Sequence, residues 1–162
     1  MEHATAYYQS PVGTLKMQCA GNHLHTLVFT EENTTAGDVK HPVLAQCRLE
    51  LDEYFSGLRR QFSVPLQQEG TTFQQTVWSL LQNIPFGKTI SYNQLSQQYG
   101  NLLAIRAVAA ANGKNNIAIL VPCHRVIGSN GSLTGYAGGL WRKKWLLEHE
   151  AKHFSGVQPL PF

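Results

Sequence analysis

No apolar run in this chain approaches the 18 or so residues that a membrane span needs, so no membrane-crossing helix is expected. The N-terminus lacks a basic segment followed by a hydrophobic one, the arrangement of a secretory signal. Cysteine is scarce. The three, at positions 19, 47 and 123, are odd in number and do not make a disulfide framework; reduced thiols in the cytoplasm are the expectation. Acidic residues are nearly missing from the second half. Residues 70 to 162 hold two Asp/Glu against eight Lys/Arg, whereas residues 1 to 69 hold eight against five, so a net charge of +3 divides into −3 and +6. A basic half beside an acidic one suits a polyanion-binding module attached to a non-binding one, although an unevenly charged solvated surface has the same composition.

What is present is ordinary in bulk: 162 residues with 43% hydrophobic content suit one compact unit or two small subdomains. Thr5 to Gln9, Thr14 to Cys19 and His23 to Thr30 read as three strands of an antiparallel meander, separated by turns at Ser10-Pro11-Val12-Gly13 and Gly21-Asn22. Glu31 to His41 reads as a loop. Leu44, Cys47, Leu51 and Tyr54 recur at helical spacing within Val43 to Phe55, which puts Cys47 in a core. His3, Cys19, His23 and His25 are metal-ligand types, but their irregular spacing on alternating strand faces argues against a zinc site, and no metal is expected. Gln61 to Pro65 suggests a further short strand, and Gln67 to Gly70 a polar link that closes a first domain over residues 1–69.

In the second half, Thr71 or Thr72 can cap a helix carrying Phe73, Val77, Leu80, Leu81 and Ile84, ended by Pro85-Phe86-Gly87. Ser91 caps a short helix from Tyr92 to Tyr99, closed by Gly100, and a second helix runs from about Leu103 to Asn112. The pair is a helix-turn-helix candidate. Its second helix is mostly alanine around a single cation, Arg106; small residues permit close approach to a groove, and equally allow tight helix packing. Gly128 to Ser132 reads as a turn, Gly135 to Gly139 as a loop able to present backbone N–H groups, and Leu140 to Glu150 as a helix with Trp141 and Trp145 in core packing. The tail to Phe162, with Pro159 and Pro161, reads as loosely ordered.

The run Ile117 to Val121 is uncharged and rich in β-branched residues, a short core strand or extended segment stopped by Pro122 and followed by Cys123, His124 and Arg125. By itself a Cys-His pair is either a nucleophile with its base or a structural cysteine beside basic residues. Pro122-Cys123-His124-Arg125-Val126 resembles the active-site signature of the O6-alkylguanine-DNA alkyltransferases, also called methylated-DNA-protein-cysteine methyltransferases. Further segments resemble that family in the family's order: Pro85 to Tyr92, Arg106 to Asn115, Gly135 to Gly139 and Leu146 to Glu150. Ala109 departs from a glycine common in the family's recognition helix, and Asn101 to Ile105 lacks the proline common in its turn.

The resemblance implies an α/β (α+β) protein. Its N-terminal part is a small antiparallel sheet with a helix; its C-terminal part, residues 70–162, is mainly helical and holds the helix-turn-helix and the cysteine. It implies irreversible, once-only transfer of an alkyl group from O6-alkylguanine in double-stranded DNA to Cys123, by a monomer needing no cofactor, with O4-alkylthymine left open as a second substrate. Binding through the minor groove would be insensitive to sequence. Matched onto this chain, His124 takes the thiol proton, Glu150 orients His124, and Tyr92 protonates the departing base. Arg106 fills the space of the extruded nucleotide, with Ser91, Ala107, Ala110, Lys114 and Arg125 as further DNA contacts. Asn115 is the hinge between recognition helix and cysteine, and Val126, Tyr136, Ala137 and Lys143 surround the base. Two rival readings are a damage sensor that binds alkylated DNA without repairing it, and a cysteine hydrolase.

Overall fold

The computed structural model describes residues 2–34, 37 and 40–154, which divide into two compact units, Met1–Glu69 and Gly70–Phe162. The first is built on a meander of β1 (His3–Ser10), β2 (Gly13–Ala20) and β3 (His23–Thr30), antiparallel in the order β1-β2-β3. Both hairpins close through two residues. Ser10 faces Gly13, with the Ser10 hydroxyl donating to the Gly13 carbonyl at 2.6 Å and accepting from Val12 N at 3.1 Å; Ala20 faces His23 across Gly21-Asn22. Period-two alternation puts Ala6, Tyr8, Leu15, Met17 and Cys19 in the core, and Leu24 and Leu27 join them from β3. A bulge between Gln18 and Cys19 pairs Cys19 with Leu24, leaving His25 without an opposite residue.

Helix α1 (Pro42–Phe55) buries Val43, Leu44, Cys47, Leu51 and Tyr54 along one stripe, and each side chain of this size is worth roughly 1.5–3 kcal/mol when removed from water. His41 caps it, its Nδ1 accepting from Val43 N at 3.3 Å. The short strand expected over Gln61 to Pro65 does not form. Glu50, buried on α1, takes the Ser63 N–H and hydroxyl, both at 2.8 Å, so this stretch satisfies its polar groups against a side chain, and pairing with the sheet is reduced to one bridge between Leu24 and Leu66.

The second unit runs α2 (Thr72–Gln82), β4 (Ile90–Ser91), α3 (Tyr92–Tyr99), α4 (Ile105–Gly113), β5 (Val126–Ile127) and α5 (Leu140–His153). Thr71 with Gln74, and Ser91 with Gln94, form reciprocal capping boxes that start α2 and α3. Gly100, at φ 102°, ends α3 in the left-handed conformation. A 3-10 turn, Leu102–Ala104, then leads into α4; the Asn101 side chain accepts from Leu103 N at 2.9 Å and starts the turn without the family's proline. Trp78 of α2 donates its indole N–H to the Ala111 carbonyl at 2.9 Å, fixing α4 against α2. Strand β4 pairs in parallel with β5, tying the start of α3 to the segment that follows Cys123. The tail after Phe154, read above as loosely ordered, lies outside the described residues, as do four residues of the loop between β3 and α1.

Candidate active site and nucleic-acid interface

The expected strand over Ile117 to Val121 is instead a tight coil. Ile119 has φ 72°, and Leu120 N donates to the Ala118 carbonyl at 2.7 Å across it, a γ-turn in the hand that L-residues rarely adopt. Pro122, at φ −81° and ψ 63°, makes a second γ-turn of the commoner hand, closed by Cys123 N on the Val121 carbonyl at 2.8 Å. A β-branched residue held at positive φ costs on the order of 1–3 kcal/mol, so something must hold it there. Asn115 does. Its amide donates to the Ile117 carbonyl at 3.1 Å and the Val121 carbonyl at 2.8 Å, while its oxygen accepts from Ile117 N at 3.1 Å. The apolar side chains of Ile117, Ile119, Leu120 and Val121 are buried around this brace. Only Ile117 makes a bridge, and burial with so little strand pairing is why a continuous apolar run misread the local geometry.

Cys123, His124 and Arg125 form the 3-10 turn that follows, all three buried. His124 Nε2 lies 2.6 Å from Glu150 Oε2, both side chains being fully inaccessible, and His124 Nδ1 has no hydrogen-bond partner among the described residues. Arg125 also holds Glu150, with Nε donating to Oε1 at 2.8 Å and Nη2 to Oε2 at 3.1 Å; its Nη1 donates to the Ile84 carbonyl at 2.7 Å. Gly87 N approaches Glu150 Oε1 at 3.4 Å. Burial alone would push the Glu150 carboxyl up, but the charge and hydrogen bond of His124 and the Arg125 fork hold it well below the usual carboxylate range. Burial pushes His124 down against the pull of Glu150. The consistent state is therefore an ionised Glu150, accepting from the Nε2–H of a neutral imidazole whose Nδ1 lone pair is free to take a proton.

Arg125 is thus corrected from the expectation of a phosphate contact. It is 5% exposed and its guanidinium is committed to Glu150 and Ile84, because an ionised carboxylate at this depth needs a fixed counter-charge. Arginine adjacent to a nucleophile reads the same in sequence whether it points out or in.

The Cys123 thiol is pushed up by burial, with the Asn115 hydrogen bond and the Lys143 charge pulling the other way. Lys143 is wholly buried, and burial depresses it to about 8 although Cys123 pulls it up. Its ammonium donates to the Thr134 carbonyl at 2.7 Å and approaches that of Gly135 at 3.4 Å, which anchors the start of the glycine loop. Ala137 is exposed in that loop, and burial raises the Tyr136 phenol well above its usual value, with Cys123 adding to the shift. Tyr92, at the start of α3, is half-buried; burial raises it too, and hydrogen bonds from Thr134 and Asn112 oppose the shift. Val126 lies in β5, opposite Ile90. The fold therefore gathers Cys123, His124, Glu150, Asn115, Tyr92, Tyr136 and Lys143 into one neighbourhood. Asn112 and Thr134, which contact Tyr92, went unmarked in the sequence; a buried asparagine on an alanine-rich helix was the available signal for the first.

The other face of α4 is different. Arg106, Ala107 and Ala110 are exposed along it and Lys114 follows, while Val108, Ala111 and Asn112 form the buried stripe. One exposed cation on a surface of methyl groups can approach a groove closely. Ser91 is half-buried at the α3 N-terminus. At the start of α5, Trp141 is 58% exposed, its ring under the Arg142 guanidinium at 4.6 Å, so it is not core as expected; Trp145 stacks on His149 at 5.0 Å. One turn apart on a helix does not mean facing the same neighbour when the first residue lies at the helix start and faces solvent.

Among the described residues no group of three or more His, Cys, Asp and Glu could hold a metal ion, and no helix is long and apolar enough to cross a membrane.

Two family profiles match the chain: residues 72–152 fit "6-O-methylguanine DNA methyltransferase, DNA binding domain" and residues 4–68 fit its "ribonuclease-like domain". A methylated-DNA–protein-cysteine methyltransferase of Mycobacterium leprae is 44% identical over 148 residues, covering 89% of this chain and 89% of its own length. The crystal structure of Mycobacterium tuberculosis O6-methylguanine methyltransferase superposes with a TM-score of 0.83 at 40% identity, over 94% of this chain and 95% of that one. The structure of Mycobacterium tuberculosis OGT in complex with DNA gives 0.82 at 43% identity, over 91% and 92%.

Proposed function

From membership of the 6-O-methylguanine DNA methyltransferase family, to which this chain belongs, we propose how its own residues carry out the family's DNA-repair reaction, the transfer of an alkyl group from guanine O6 to a cysteine. The O6 substituent is inaccessible inside a duplex, so the nucleotide is extruded at a cost of a few kcal/mol. Arg106 enters the vacated stack from the exposed face of α4, Ala107 and Ala110 let the helix approach, and Ser91 and Lys114 take phosphates. Contacts of this kind carry no base readout, so damage is selected and sequence is not.

His124 Nδ1 takes the thiol proton, through a water where the two do not touch, and Glu150 stabilises the imidazolium that forms. The Cys123 sulfur forms a bond to the alkyl carbon as the carbon–O6 bond breaks. Guanine leaves with that electron pair, and Tyr92 donates a proton to it. The proton lost from sulfur replaces, by way of solvent, the one that Tyr92 gives up, so the products are a neutral thioether and guanine. Lys143 lowers the cost of the thiolate by its charge and holds the loop that brings the Ala137 N–H and Tyr136 to the base; the Cys123 and Val126 carbonyls accept from the exocyclic amine. Nothing in this chemistry hydrolyses a thioether, so each molecule acts once.

The observation that carries this reading is the fully buried 2.6 Å bond between His124 and Glu150, beside Cys123, which leaves the opposite ring nitrogen unpartnered. A buried thiol raised above its usual pKa needs such a base, whereas a sensor that only binds has no use for one. That Cys19, Cys47 and Cys123 form no disulfide among the described residues supports a reducing compartment, the cytoplasm, as the place of action. The test is to incubate the protein with duplex DNA carrying O6-methylguanine and weigh its peptides. A gain of one methylene on the Cys123 peptide, limited to one equivalent, is expected; an unmodified protein bound tightly to the DNA would support the sensor instead.

A further inference from the structure

Helix α4 connects two functions through opposite faces. Arg106 stands on its exposed face; Asn112, six residues or about 9 Å further along the axis, stands on its buried face at 4% exposure. The Asn112 amide Nδ2 donates to the Tyr92 phenol oxygen at 3.4 Å. Thr134, from the loop before the glycines, pulls the same phenol down against the burial that raises it. Thr134 is itself held, since its carbonyl takes the Lys143 ammonium at 2.7 Å. The other end of the Asn112 amide, Oδ1, is buried with no hydrogen-bond partner among the described residues. A buried amide that leaves its oxygen unsatisfied is costly, and an arrangement that tolerates this cost uses the opposite end.

A phenol oxygen has one proton to give and two lone pairs that accept. With Asn112 donating from α4, one lone pair is occupied and the O–H cannot turn toward that amide. We propose that Asn112 is a positioning residue for the proton donor: it restrains the Tyr92 hydroxyl rotor so that the O–H turns away from α4 and toward the departing guanine, and it stabilises the phenolate left when the proton is given up. Because Asn112 and Arg106 share α4, the helix that seats on DNA also sets the direction of that proton. The inference rests on Tyr92 being the donor.

The test is a double-mutant cycle on single-turnover alkyl transfer from O6-methylguanine duplex, with DNA affinity measured in parallel. Asn112→Leu, close in volume, is expected to slow transfer about tenfold, the scale of one lost hydrogen bond, and to leave DNA affinity unchanged. In a Tyr92→Phe background the same substitution is expected to cost nothing further. The alkaline limb of the rate profile should also move to higher pH, since a phenol that loses a donor ionises less readily. Asn112→Ala, which deletes the amide without adding bulk to the buried face, repeats the cycle and decides the matter if Asn112→Leu does not fold. Equal losses with and without the Tyr92 hydroxyl would overturn the proposal while leaving Tyr92 as donor. An unchanged rate in Tyr92→Phe alone would remove the donor and the positioning role together.

Discussion

His124 and Glu150, twenty-six residues apart in sequence, meet at 2.6 Å with neither side chain accessible to solvent, and Arg125 closes on the same carboxylate from the other side. A neutral imidazole, an anion and a cation thus share one buried volume, and the order in which they can lose or gain protons follows from it.

Glu150→Gln keeps the shape but removes the charge that stabilises an imidazolium. Transfer to Cys123 is expected to slow by about 10²-fold or more, the usual scale for a general base, with DNA affinity retained. Single-turnover kinetics with saturating protein check this.

The same pair sets an acid limit on stability. Glu150 is depressed in the fold, so its contribution is present above its unfolded value, about 4.3, and is lost as pH falls below it; His124 is also depressed, so the fold loses stability as pH falls below about 6.5 and the buried ring must charge. Both act in one direction. Urea titrations at a series of pH values should show stability falling from about pH 6.5 downward and more steeply below about 4.5, and His124→Phe should remove the upper part of that decline.

Arg125→Met strands the Glu150 carboxylate. A loss on the order of 3–5 kcal/mol in unfolding free energy is expected, while the salt dependence of DNA binding stays as it was. A shallower salt slope in this variant would return Arg125 to the DNA interface.

Arg106→Ala gives the opposite pattern. Thermal stability should be within about 0.5 kcal/mol of the parent, as for exposed sites generally, while transfer from duplex slows and transfer from the free O6-alkylguanine base does not. Equal effects on both substrates would place the role of Arg106 outside nucleotide extrusion.

Asn115→Ala removes three hydrogen bonds from a buried coil that contains a left-handed isoleucine. Destabilisation of about 2–4 kcal/mol is expected, with slower transfer, since the coil sets the position of Cys123. Calorimetry and the rate measured on the same sample separate the two effects.

Local chemistry was legible in the sequence because it repeats with a short period or acts within a few residues. The alternation of Leu15, Met17 and Cys19, the stripe Leu44-Cys47-Leu51-Tyr54, and the caps Thr71 and Ser91 all express geometry that one segment imposes on itself. The residues flanking Cys123 were legible for another reason: a motif carries their identities together with their order.

Only the tertiary structure decided where side chains of ambiguous direction point. Arg125 is as compatible with a phosphate as with a buried carboxylate until Glu150 is brought beside it from α5. Ile117 to Val121 is apolar enough for a strand, but a strand needs a partner ladder, and Asn115 satisfies these carbonyls instead. Asn112 shows in the sequence only as a polar residue on an alanine-rich helix, since its role depends on Tyr92 arriving from another helix at 3.4 Å. Composition and periodicity determine which face of each element is buried; which two faces meet is a long-range property, and the protonation states that give Cys123 its chemistry depend on that meeting.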